Sequence, residues 1–174
     1  MSYHPYALTF PATEFVLRSD DFENGGPLPT ACYNTDAGAD RSPALAWSGL
    51  PDGTRSLVIT AFDADAPIPG GLWHWAVKDV PAAAGSIEGG AGASGGTALP
   101  VGAVTLTNDL GQVAYSGVAP PPGTGTHRLF VCATALSVER LETPDGASLA
   151  MLNILMIPHT VGRAVLIGTS DAPA

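Results

Sequence analysis

The feature that most constrains this chain is how its glycines and prolines are spaced. Twenty-one Gly and 16 Pro cut the apolar sequence into short runs, each closed by a turn signal. Runs of that length suit strands better than the longer helices of a bundle. The runs are rich in Val, Ile, Thr, Phe and Trp, the residues that fit a pleated, half-buried surface. The chain therefore reads as all-β with many turns. Its 174 residues suit one domain, spanning 1–174, around one core.

The runs can be placed. Glu14 to Arg18 reads as a first strand, and residues 20–43 as surface loop. Ser56 to Phe62, with β-branched Val58, Ile59 and Thr60, is a strong strand. Leu72 to Val80 is another, stopped by Pro81. Residues 82–102 are Ala, Gly and Ser with few anchors and read as a long loop; the apolar pattern resumes at Val104. Thr126 to Leu136 is the clearest strand. From Ser148 to about Arg163 the period turns helical, with Leu149, Leu152, Leu155 and Met156 on one face. Pro158 should kink that helix or end it early. Ala164 to Ile167 reads as a closing strand.

Charge narrows the partners. The formal net charge is −9, and the seven Lys and Arg form no cluster. Nucleic acid needs a basic stripe, so it is excluded as a partner. An anionic membrane surface repels such a chain on average. Met1 to Phe10 shows no basic n-region or long apolar core, and no run reaches transmembrane length. A cytoplasmic protein is the default expectation. Cys32 and Cys132 suggest neither a disulfide framework nor a zinc site, and Cys132 reads as a buried free thiol.

Side chains two apart on a strand share a face. One face of the Ser56 strand is Leu57, Ile59, Ala61 and then Asp63; one face of the Thr126 strand is His127, Leu129, Val131, Ala133 and Ala135. Each apolar stripe finishes in one ionisable residue. A carboxylate or imidazole at the edge of a core needs a partner. The simplest joint solution puts Asp63 and His127 around one pocket. His74, between Trp73 and Trp75, is the third member. Regular alternation would put both Trp on one face and Leu72, His74 and Ala76 on the other. A single buried His is as readily a core residue, but two with an Asp near turns point to a site.

The flanking segments are turn-rich. In Asp63–Pro67, "DADAP", Asp65 can accept N–H groups of its own turn. In Tyr115–Arg128, "YSGVAPPPGTGTHR", the prolines, Gly123 and Gly125 make a stiff, sharply bent loop whose N–H groups can bind an anion. Arg128 falls on the face opposite His127 and reads as a structural charge partner. "GASGG" at Gly92–Gly96 matches a nucleophile-elbow pattern but lacks the strand before it and the helix after it. A two-His, one-carboxylate iron site has no spacing to support it, and neither His4 nor His159 can be placed as a further ligand. No metal and no cofactor are expected.

Four ordered stretches, "SPALAWSGLP" (Ser42–Pro51), "DADAP" (Asp63–Pro67), "WHWAV" (Trp73–Val77) and "GVAPPPGTGTHRLF" (Gly117–Phe130), are similar to motifs of the phosphatidylethanolamine-binding proteins, and nearest to their bacterial Raf-kinase-inhibitor-like branch. The match runs from about Ser42 to Gly168. The resemblance implies an all-β fold, a β-sandwich of two antiparallel sheets, with a C-terminal helix. It also implies a pocket for phosphate, phosphorylated head groups or similar small anions. Carried over by motif, the pocket residues are Asp63, His74, Gly117, Pro120 and His127, with Asp65 and Tyr115 close by. The chain departs from the pattern at four places: Ala64 replaces a Pro, Val118 and Ala119 replace the Gly-Pro opening of the loop, Leu129 replaces a Tyr, and Thr169 and Ser170 replace an aromatic. Leu129, sharing the face of His127, is expected to border the pocket and to make it more apolar.

Three functions stay open on the sequence: a small-molecule or anion-binding protein with a regulatory role, an enzyme using Asp63 and His127 as an acid–base pair on an apolar substrate, and a module that binds a protein partner. The sequence also leaves a homodimer open.

Overall fold

A computed structural model describes residues 3–96 and 98–173. Among them lie nine strands: β1 (Thr13–Glu14), β2 (Val16–Arg18), β3 (Leu45–Ser48), β4 (Ser56–Asp63), β5 (Leu72–Pro81), β6 (Ser86–Ile87), β7 (Val104–Thr105), β8 (Thr126–Leu136) and β9 (Thr160–Asp171). One α-helix, α1 (Leu149–Met156), is described near the C-terminus. Six strands form the main sheet in the order β1-β9-β8-β4-β5-β7, and three form a smaller sheet, β2-β3-β6. All pairings between these strands are antiparallel except at one edge, where β1 runs parallel to β9.

The main sheet is covered on both faces, which explains why its central strands read as nearly continuous apolar runs. One face carries Leu57, Ile59 and Ala61 of β4 and Leu129, Val131 and Ala133 of β8. These pack against Leu17, Leu45 and Trp47 of the small sheet. The opposite face carries Val58, Ala76 and Leu136, which meet Leu149, Leu152 and Met156 of α1. Ser148 caps that helix, its hydroxyl accepting the N–H of Met151 at 3.2 Å.

The strand edges differ from the sequence expectation in ways that have local causes. Glu14–Arg18 is two strands, because the chain changes sheets at Phe15. Leu45–Ser48, not anticipated as a strand, pairs with β2 and β6. The helix ends at Met156: Pro158 opens a single 3₁₀ turn over Ile157–His159, and β9 starts at once at Thr160. The closing strand is therefore much longer than Ala164–Ile167 and borders β8 along its whole length.

Candidate functional site

β4 and β8 run antiparallel with Asp63 opposite Leu129. This register puts the last residue of β4 beside the first turn of β8, and the two stripe-ending ionisables meet. His127 Nδ1 lies 2.7 Å from Asp63 Oδ2, and both side chains are buried. The other Asp63 oxygen, Oδ1, accepts the N–H of Asp65 at 2.8 Å. Both carboxylate oxygens are thus occupied, one holding the imidazole and one holding the turn that follows the strand. The turn bond runs to Asp63, not to Asp65 as the sequence suggested.

His74 reaches the same place by a different route. The β4–β5 register pairs Ala61 with Trp75 but Phe62 with Trp73, so His74 is the extra residue of a β-bulge. The bulge breaks the alternation. Trp75 joins the core between the sheets, whereas Trp73 packs on the opposite face, its ring 4.4 Å from that of Phe62. The expected single Trp face does not exist. In exchange, the bulge re-aims His74 toward Asp63 and His127.

The ring of His74 is fixed from behind. Its Nδ1 is 2.8 Å from the carbonyl oxygen of Ser116. A carbonyl only accepts, so Nδ1 carries the proton. Asn108 holds that segment in place: its amide donates to the carbonyls of His74 and Ala114 and to Ser116 Oγ, at 3.1, 3.1 and 2.8 Å. Nε2, the opposite atom of the ring, is buried and has no partner. Burial holds the basicity of His74 below the usual imidazole value, and the Ser116 carbonyl and Asp63 offset this only in part.

These groups border a cavity of about 470 Å³, a size that suits a small molecule. Asp63, His74, Gly117, Pro120 and His127 all line it. Asn34, Ile68, Leu72 and Leu110 line it too. Sequence reasoning set Leu72 on the His74 face but had no signal for the other three, which come from loops that only folding brings near. The wall contains no Lys or Arg. It also offers fewer N–H groups than expected: that of Gly117 is taken by Asp40 Oδ1 at 2.7 Å, and Pro120 has none.

Three candidate residues stand behind the wall. Asp65 accepts Arg128 Nε and Nη2, both at 2.7 Å, together with the Arg128 backbone N–H. The guanidinium holds its carboxyl below the ordinary carboxylate value. This fork ties the "DADAP" turn to β8, and it spends the cation nearest the site. Tyr115 is buried, with its hydroxyl on the Cys32 carbonyl at 3.1 Å and its ring edge-on to Trp75. Leu129 lies one pair deeper than His127, between Asp63 and Gly168, and is fully buried in the core between the sheets.

The chemistry of His127 follows from counting hydrogens. Thr124 has one hydroxyl proton, and its Oγ1 donates to the Pro121 carbonyl at 2.7 Å. The same Oγ1 lies 2.9 Å from His127 Nε2, so the ring and the Pro121 carbonyl compete for that proton. Thr124, His127 and Asp63 line up like a nucleophile, base and acid, with the Pro121 carbonyl as a rival acceptor for the hydroxyl proton. Among the described residues, no group of three or more His, Cys, Asp or Glu is placed to hold a metal ion. Nor is any described helix long and apolar enough to cross a membrane.

Comparison with known proteins sets this geometry in context. The model of the phosphatidylethanolamine-binding protein family matches residues 18–171. YbhB of Escherichia coli, a UPF0098 protein, is 39% identical over 151 residues, covering 85% of this chain and 94% of YbhB. LppC of Mycobacterium tuberculosis, named as a lipoprotein, is 33% identical over 179 residues, covering 97% of this chain and 82% of LppC. The expected cytoplasmic location thus finds no support in that relative. The crystal structure of E. coli YbcL, described as a new member of the mammalian PEBP family, superposes with a TM-score of 0.85 at 32% identity, over 93% of this chain and 99% of YbcL.

Proposed function

The chain belongs to the phosphatidylethanolamine-binding protein family, and on that premise we propose that it is a binding protein for a small oxyanion-bearing molecule, held in the cavity at the end of β4 and β8 without turnover. The observation that carries this reading is the buried, unpartnered Nε2 of His74. Buried polar atoms in folded proteins almost always bond to protein or water, so one with no protein partner at a cavity wall is open to a ligand. His127, held by Asp63 at Nδ1 and by Thr124 at Nε2, lines the same cavity, and a ligand that displaces the Thr124 hydroxyl gains a second polar contact there. The apolar rest of the wall, with Ile68, Leu72 and Leu110, suits a ligand that is polar at one end.

The line-up of Thr124, His127 and Asp63 gives an enzyme reading its best footing. The Pro121 carbonyl, 2.7 Å from the Thr124 hydroxyl, competes with the His127 ring at 2.9 Å for its proton and weighs against it.

Calorimetric titration with inorganic phosphate and with phosphoethanolamine tests the binding reading. Wild-type protein should give saturable heat with one of them, and His127→Ala should lose most of it. Absence of saturable heat from wild type with both ligands would remove the reading.

A further inference from the structure

We propose that Thr124 is a built-in competitor for the cavity: its hydroxyl holds the one ring position of His127 that a ligand could use, so the free protein is partly closed against its own ligand. The inference rests on the binding reading above and names what regulates that site.

The two imidazoles of the wall are not equally open. His74 Nδ1 is taken by the Ser116 carbonyl at 2.8 Å, and His127 Nδ1 by Asp63 Oδ2 at 2.7 Å. His74 Nε2 has no protein partner, whereas His127 Nε2 lies 2.9 Å from Thr124 Oγ1. An imidazole nitrogen bonds in one direction only, through one N–H or one lone pair. Thr124 and a ligand atom therefore exclude each other at His127, whichever partner carries the proton. Little else in the wall makes up for the loss. It holds no Lys or Arg, Arg128 is committed to Asp65, and the Gly117 N–H and the Asn34 amide both donate to Asp40. Whether a ligand gains a second imidazole is thus decided by where the Thr124 hydroxyl sits.

Thr124 is placed to let go. It stands on an exposed run, residues 121–126, while the ring that it covers is 1% exposed. The turn beneath it does not depend on the hydroxyl. The Thr124 N–H donates to the Pro121 carbonyl at 3.2 Å, and the Gly125 carbonyl accepts the Ala172 N–H at 3.0 Å. Rotation about the first side-chain bond moves Oγ1 off Nε2 with the backbone in place, and water meets the freed hydroxyl. A ligand reaches His127 only in the fraction of molecules whose hydroxyl has turned away, and its apparent affinity is lowered by that fraction. The net worth of one neutral hydrogen bond sets the factor at about three- to tenfold.

Calorimetric titration with inorganic phosphate and with phosphoethanolamine compares three proteins: wild type, Thr124→Val, which keeps the shape and deletes the hydroxyl, and Thr124→Ser, which keeps the hydroxyl. Thermal unfolding reports that both variants are folded. Thr124→Val should bind whichever ligand wild type binds about three- to tenfold tighter than wild type does, and Thr124→Ser should stay with wild type. Scalar couplings across the first side-chain bond of Thr124 give a second reading: wild type should show one rotamer when free and another at ligand saturation. Equal affinity of Thr124→Val and wild type would overturn the competition and leave the binding reading standing. Weaker binding by folded Thr124→Val would make the hydroxyl a contact for the ligand and overturn it in the opposite sense. An unchanged Thr124 rotamer at saturation would overturn the displacement even where the affinity rises. No saturable heat from any of the three proteins with either ligand would remove the binding reading and this inference with it.

Discussion

Gly117→Ala is the most direct probe of how the cavity wall is built. A methyl group at residue 117 would lie 2.4 Å from the Tyr33 carbonyl carbon, 2.5 Å from the Asn34 nitrogen and 2.7 Å from the Cys32 oxygen. Carbon atoms in contact sit about 3.5–4.0 Å apart, and these neighbours are backbone, which cannot swing aside as a side-chain tip can. The two segments must separate by about an ångström or more on that scale. They are joined by Asn34 N–H to the Val118 carbonyl and Val118 N–H to the Cys32 carbonyl, at 3.0 and 3.1 Å. Loss of two such bonds costs about 1 kcal/mol each, and overpacking about 1–3 kcal/mol, so the expected destabilisation is about 3–5 kcal/mol. Gly123→Ala is the control. Gly123 has φ +78 but nothing within 4 Å of a Cβ, so only the left-handed backbone penalises it, by about 1–2 kcal/mol. Urea unfolding at equilibrium measures both, read as a shift in midpoint at unchanged slope. Asn34 belongs to the displaced segment and to the wall, so phosphate affinity should fall in Gly117→Ala and hold in Gly123→Ala. If Gly117→Ala unfolds no more easily than Gly123→Ala, the close approach at residue 117 is not what shapes this wall.

Two further expectations concern titratable groups. Burial lowers the folded-state value of His74 below its ordinary 6.5, so its contribution to stability is complete above that pH. As pH falls below it, the unfolded chain takes up a proton that the native ring refuses. Stability then drops by up to about 1.4 kcal/mol per pH unit until the native ring also protonates; unfolding curves between pH 7 and 5 should lose this component in His74→Asn, and unchanged acid slopes would contradict it. The thiols of Cys32 and Cys132 are buried and pushed up to about 11 by that burial, so a disulfide reagent at neutral pH should label neither in native protein at an appreciable rate and both after unfolding.

How much of this was legible from the sequence depends on whether the strands are regular. Asp63 and His127 were found because β4 and β8 alternate without interruption, and a stripe that ends in an ionisable residue says where it must end in space. Strict alternation also placed Arg128 on the far face, and it does lie there, its guanidinium 5.3 Å from the Phe130 ring centre. Its partner, Asp65, was read as a turn acceptor because a turn of that composition so often keeps its bonds local. The pull of a bidentate guanidinium proved stronger. Leu129 was misplaced by the same logic that found His127: sharing a face says nothing about depth. One pair inward, the wall has already become core, because Gly168 lets Leu28 and Phe22 close over that part of the sheet.

His74 is the instructive case. Alternation put it opposite both tryptophans and gave no reason for its ring to face the other ionisables. The extra residue in β5 changes that, and a bulge leaves no mark in a strand-like run such as Leu72–Pro81. The same irregularity separates Trp73 from Trp75, giving each face of the sheet one of the two indoles. One local departure from the pleat therefore does two jobs. It fills both cores, and it presents an imidazole at the cavity with its far side already bound to Ser116. A substitution that restored regular pairing at residue 74 would keep the composition of the wall and lose its polarity, so the arrangement of donors and acceptors belongs to the backbone as much as to the residues.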